Sequence, residues 1–178
     1  MKTKLFILVL ALQSAWILGT TFAQERALRT GQVVLLETRP VDPRDLLRGD
    51  YVILNYKISD VPVRLFPDSV KLNLPYAGEV FVALAAAGTN QFWEITRAGT
   101  ESFTPAANEV LLRGKSWWNN ANSIHVEYGI EQYFVAEGTG NPGGKLTVQA
   151  VVSKSGRASL KEVFVDGKPY AEAMKQAQ

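Results

Sequence analysis

Asp42, Arg44, Asp45, Arg48 and Asp50 place five charges within nine residues, and Tyr51, Leu54 and Tyr56 follow directly. Guanidinium groups fork onto carboxylates and phosphates, so a cluster of this kind can recognise a ligand or a partner. The same residues can instead serve the chain itself. Asp42 suits a helix N-cap ahead of Pro43, Asp45 can pair with an arginine, and Asp50 can accept backbone N–H bonds where a strand begins. Gly49 fits a left-handed turn position. Turn chemistry accounts for most of these positions, and the recognition reading stands beside it.

Other residues could carry chemistry. Glu131 and Glu137 flank Tyr133 and Phe134, and a carboxylate pair in an aromatic-lined loop could hydrolyse a glycosidic bond. A solvated surface pair is the plainer reading. His125 is the single histidine. On a strand over 123–128 it alternates away from Ile124, Val126 and Tyr128, so it is expected to face solvent beside Glu127. A general base needs a nucleophile or an orienting acid, and the local sequence offers neither. The chain has no Cys, which excludes disulfides, thiolate zinc sites, iron–sulfur clusters and cysteine nucleophiles. Zinc would have only carboxylates besides one imidazole. Trp117 and Trp118 precede an Asn-rich stretch; they could dock on a partner, or one could fill the core while the asparagines make turns. The glycine-rich stretch 138–144 lacks the Lys-hydroxyl ending of a phosphate loop and reads as a flexible connection. No catalytic residue, metal or cofactor is assigned.

These residues sit on a chain that reads as mainly β. Residues 32–38 form a buried-strand pattern. In 51–58, Val52, Leu54, Tyr56 and Ile58 share one face. Further strands are expected over 79–85, 92–96, 109–112, 123–128, 145–152 and 157–165, the last two joined as a hairpin through 154–157. Parity fails near Lys161 and Glu162, which predicts a bulge. Prolines at 62, 67 and 75 make 61–77 an extended connection or small insertion. Short helical turns are expected at 42–47 and 129–134. About eight short strands suggest a sandwich or a partly closed barrel, preceded by one N-terminal transmembrane helix.

The N-terminus sets the address. After Lys2 and Lys4, Leu5 to Ala23 is a run of 19 residues without a charge. As a helix it spans ~28 Å, close to the thickness of a bilayer's hydrocarbon core. Basic residues before it place the start inside and the domain outside. Thr21-Phe22-Ala23 would serve as a signal-peptide cleavage site, but the apolar run exceeds a typical signal core, and helix-compatible residues continue to Gly31. The expected organisation is an anchor or signal peptide over 1–30 and one β-rich extracytoplasmic domain over 31–178. The net charge is +2; Lys2 and Lys4 supply that surplus, so the domain has no electrostatic footprint for nucleic acid.

The stretch Gly49-Asp50-Tyr51-Val52-Ile53-Leu54-Asn55-Tyr56, with its upstream flank from Pro40, resembles the signature of the bacterial GDYXXLXY family. Residues 128–138 and the final hairpin through Lys168 are similar as well. The resemblance implies an uncharacterised membrane-anchored protein, often encoded beside polytopic membrane proteins, and it carries no activity to transfer. A similar Gly-Asp pair follows a turn in signal peptidases, but their nucleophilic serine would fall near Val41, which has no hydroxyl, so a serine–lysine mechanism is not carried over.

The expectation is therefore a non-catalytic accessory protein held at the inner membrane, with its domain on the periplasmic side, acting with an integral polytopic partner. A binding module for a small periplasmic ligand or cell-wall fragment is the alternative, and a carboxylate hydrolase the third. The residues expected at a contact are the five charges, Gly49, Tyr51, Leu54, Tyr56, Glu131 and Tyr133.

Overall fold

Beyond Gly31, apolar side chains recur every second residue in short runs, the period at which a strand buries one face. Eleven strands form on these runs among the described residues of a computed structural model, namely 2–39, 51–68, 77–88, 91–119, 122–135 and 144–176. In chain order they are β1 (Gln32–Glu37), β2 (Tyr51–Ile53), β3 (Asp60–Pro62), β4 (Glu79–Ala86), β5 (Trp93–Gly99), β6 (Glu109–Asn119), β7 (Ser123–Glu127), β8 (Gln132–Phe134), β9 (Leu146–Val152), β10 (Ala158–Val165) and β11 (Lys168–Pro169). Helix α1 (Lys2–Thr30) precedes them, and the short α2 (Tyr170–Gln176) follows.

All pairings are antiparallel. A four-stranded sheet runs β1-β9-β10-β11, a five-stranded sheet runs β3-β7-β6-β4-β5, and β2 pairs with β8 alone. Val34, Leu36, Val52, Val61, Val82, Leu112, Val126 and Val148 are fully buried, and the three sheets share one apolar core. The result is sandwich-like, and no sheet closes into a barrel among the described residues. The sheets are also tied at their edges. Arg113 N–H donates to the Gly156 carbonyl at 2.8 Å, so the tip of the β9–β10 hairpin is bonded onto β6.

Close packing explains one glycine. A Cβ at Gly114 would lie 2.8 Å from both the Glu127 carbonyl and a ring carbon of Tyr128, and closer still to Val126. Strands β6 and β7 therefore approach at a point where no side chain fits.

Several expectations change. The strand expected over 51–58 is regular only as far as Ile53, bridges once more at Tyr56, and then turns through a 3-10 segment at Lys57–Ser59. Its predicted inner face holds: Val52, Leu54, Tyr56 and Ile58 are all buried. The helical turn expected at 129–134 is replaced by β8. Gly129 has φ +81, which reverses the chain, and Glu131 then holds the turn so that the next residues pair with β2. The connection at 61–77 contains β3 and a second 3-10 turn at Val63–Leu65. Strand β6 runs on to Asn119, with a register shift between Ser116 and Trp118. The bulge expected near Lys161 is present between Leu160 and Glu162.

One helix, α1, stands apart. Thr3–Phe22, 20 residues, is long and apolar enough to cross a membrane, and none of it is buried. Only Gly31 separates α1 from β1. Strand β1 then runs about 20 Å away from the helix. Its register with β9 sets Val152 beside Gln32 at the helix end and Thr147 beside Glu37 at the far end.

Candidate functional site

The second half of the signature lies at that far end. Thr38, just past β1, bridges to Tyr56, and its hydroxyl donates to the Leu146 carbonyl at 2.6 Å. Strand β2 pairs with β8 so that Tyr51 faces Phe134 and Val52 faces Tyr133. Leu54 N–H continues the ladder to the Glu131 carbonyl at 2.7 Å.

Two tyrosines lock the two segments. Tyr56 Oη donates to the Ile130 carbonyl at 2.5 Å, and Tyr128 Oη donates to the Ile58 carbonyl at 2.7 Å. Both phenols are buried, and burial, with the charge of Glu131 second, pushes their ionisation far above the usual range. They are permanent hydrogen-bond donors and not acid–base groups. Leu54 is a core residue. Glu131 accepts the Tyr128 N–H at 2.5 Å and the Gly129 N–H at 2.9 Å, so its carboxylate secures the turn. Three positions singled out in the sequence, Leu54, Tyr56 and Glu131, thus build the fold.

Two aromatic pairs lie on opposite faces of the β2–β8 pair, Tyr51 with Phe134 and Tyr133 with Tyr170. Tyr51 is tilted against Phe134 with ring centroids 6.0 Å apart, and Phe134 is 72% exposed. Tyr133 meets Tyr170 edge to face at 5.3 Å. Helix α2, which supplies Tyr170, has no counterpart in the sequence reading. The Tyr170 hydroxyl is buried and has no hydrogen-bond partner among the described residues. Burial raises its ionisation, and Tyr133 adds to the effect.

Two ion clusters form on β1 and β3. Glu37 receives Lys145 and, at 2.6 Å, Lys57; these two lysines hold its carboxyl below the usual range. Asp60 on β3 takes Arg39 on one oxygen and His125 Nδ1, at 2.9 Å, on the other. Burial pushes the Asp60 carboxyl up, but the bonds from His125 and Arg39 outweigh it and hold it low. The expectation that His125 faces open solvent is corrected: its side chain is 21% exposed and bonded to an acid 65 residues earlier in the chain. The β3–β7 pairing, Asp60 opposite His125, creates that contact, and β3 was hidden in a proline-rich stretch. An Asp–His pair orients an imidazole, as many enzymes require, but here Arg39 and strand pairing give the same atoms a structural use.

The remaining sequence candidates separate. Trp117 is partly exposed, with the Lys115 ammonium 5.2 Å from its ring centre. Asp42, Arg44, Asp45, Arg48, Gly49, Asp50, Val41 and Glu137 lie outside the described residues, as does the expected turn at 42–47. Two cavities, of about 540 and 610 Å³, flank Phe103, and neither is lined by a signature residue.

Comparison with known families settles the relationship. A family model described as GDYXXLXY protein matches residues 13–163. The chain belongs to the GDYXXLXY family. No curated protein matches it. No solved structure matches it either. The family match runs from residue 13, in the middle of α1, to residue 163 within β10, so part of the apolar helix and most of the β-rich region enter the family together. In this GDYXXLXY protein the Leu and final Tyr of the signature are interior, while the first Tyr borders an exposed phenylalanine.

Proposed function

We propose that this GDYXXLXY protein is a non-catalytic accessory protein, held in an inner membrane by α1 with its β-rich domain on the extracytoplasmic side, and working with an integral membrane partner. The observation that carries the reading is α1 itself. A 20-residue, predominantly apolar span that is not buried in its own chain has a strong drive to leave water. The helix continues unbroken past Thr21-Phe22-Ala23 to Thr30, which favours an anchor over a cleaved leader. Fixing a domain at the bilayer raises its effective concentration near membrane neighbours without any new contact.

The partner contact would include Tyr51 and Phe134. They lie at the end of the domain remote from α1, and an exposed phenylalanine backed by a half-buried tyrosine on paired strands suits a binding hot spot. The test is mild-detergent pulldown of the full-length chain from native membranes. Recovery of one specific polytopic protein, lost with Phe134→Ser, supports the proposal. Recovery of the chain alone, under conditions that keep known complexes intact, overturns it.

A second reading, a tethered binder of a small extracytoplasmic ligand, is favoured by one observation. The Tyr170 hydroxyl is buried without a partner among the described residues, and such groups are costly unless something satisfies them. A cell-wall fragment that raises the melting temperature of the native chain, but not of Tyr170→Phe, would select this reading.

A further inference from the structure

We infer that the cavity beside Phe103, at the root of α1, seats the phosphate of an anionic phospholipid headgroup; this rests on the proposed membrane anchoring and adds to it a specific lipid contact. Thr30, the last residue of α1, forms part of the cavity wall together with Ser102, Phe103, Thr104, Ser153 and Lys154, around a volume of about 540 Å³. Position is the first argument. The apolar run ends at Phe22. Eight further helical residues to Thr30 rise about 12 Å, while the headgroup layer on one side of a bilayer is roughly 5–7 Å deep. The cavity therefore opens within about one lysine side chain of the headgroups. Thr30 itself lines the cavity and only Gly31 joins helix to strand, so the cavity lies at the foot of α1.

Lining chemistry is the second argument. Hydroxyl groups of Ser102 and Thr104 and the exposed Lys154 ammonium are donors suited to phosphate oxygens. Phe103 offers an apolar wall for the glycerol carbons next to the phosphate, as aromatic rings do at membrane boundaries. The acid in the lining, Glu109, does not oppose an anion freely. Its carboxylate is held by Arg97 at 2.5 Å, by the Ala106 N–H at 2.9 Å and by the Thr96 hydroxyl at 2.7 Å. The hairpin tip that carries Lys154 is itself fixed, because Gly156 accepts from Arg113 on the other sheet. Lys154 is thus presented from a braced turn and not from a loose loop.

The experiment uses the full-length chain in nanodiscs of phosphatidylcholine alone or mixed with phosphatidylglycerol. The chain has no Cys, so Ser155→Cys and Lys168→Cys each give a unique site for a nitroxide. Lipids with a nickel-chelating headgroup should relax the Ser155 label strongly and the Lys168 label weakly, since β11 lies at the end of the sheet remote from α1. Native mass spectrometry should find phosphatidylglycerol retained preferentially, and Lys154→Gln should lower that preference about fivefold. If both labels relax equally weakly, or Lys154→Gln leaves the preference intact, the headgroup site is overturned while the anchor stands. If the chain does not enter discs at all, the anchoring proposal fails as well.

Discussion

Tyr56 and Tyr128 exchange hydrogen bonds across the core: each phenol donates to the main-chain carbonyl two residues beyond the other, Ile130 for Tyr56 and Ile58 for Tyr128. The final tyrosine of the signature is therefore half of a reciprocal clasp between the segment after β2 and the segment before β8. Truncating either phenol leaves a buried carbonyl without that donor, at a cost of about 1–3 kcal/mol. Tyr56→Phe and Tyr128→Phe should each lower the urea midpoint by a corresponding amount. The double variant should cost less than the sum, since both bonds brace the same pair of segments. Single losses too small to measure would sink the clasp as a stabilising device.

Glu131 should behave as a turn lock. Glu131→Ala removes both acceptors of the Tyr128 and Gly129 N–H groups, and a destabilisation of about 1–3 kcal/mol is expected. Glu131→Gln retains one acceptor oxygen and should fall between. If Glu131 were instead a catalytic or ligand carboxylate, both variants would keep their melting temperature and lose only function.

Gly114→Ala should be among the most damaging small substitutions in the domain. The added carbon meets the Glu127 main chain and the Tyr128 ring at 2.8 Å. Overpacking of this sort costs about 1–3 kcal/mol, and backbone has less room to yield than a side chain. Thermal denaturation of the variant checks it, and an unchanged melting temperature would mean that β6 and β7 are less tightly apposed.

Acid should unfold the domain gradually through three carboxylates. Arg97, then the Ala106 N–H, then Thr96 pull Glu109 down to about 2, and Glu37 and Asp60 are also held low. A depressed carboxyl stabilises the folded state above its unfolded value, and the gain disappears as pH falls through the folded value. Stability measured by urea midpoint should therefore be flat near neutrality and decline from the ordinary carboxylate range, near 4.5 for Glu109, toward about 2. Glu109→Gln should start lower and decline less steeply. A midpoint that rises on acidification contradicts the assignment.

The helix α1 yields the simplest cellular test. Placing arginine at Leu10 and Ile17 adds roughly 5–7 kcal/mol to the cost of insertion. That double variant should leave the membrane pellet, whereas the wild-type chain should be released only by detergent. Release of the wild-type chain by high salt alone would refute the anchor.

Much of this architecture was legible from alternation. The inner face of Val52, Leu54, Tyr56 and Ile58, the β9–β10 hairpin and the bulge near Lys161 all follow from period-two patterning and turn residues. What escaped was set by distant partners. Gln132–Phe134 has too few residues to display a period, and only pairing with β2 makes it a strand. Asp60–Pro62 contains a proline that disguises an edge strand, and with it went the contact between Asp60 and His125. The signature was recognisable as a pattern, but whether its final tyrosine faced a ligand or the core depended on a carbonyl 74 residues along the chain.

The junction at Gly31 has a mechanical consequence. Any tension along α1 passes straight into β1, whose six residues are each registered against β9. A pull from the helix loads those rungs together in shear and does not peel them one by one. Traction at the N-terminus should thus be shared by all six rungs before any one of them yields.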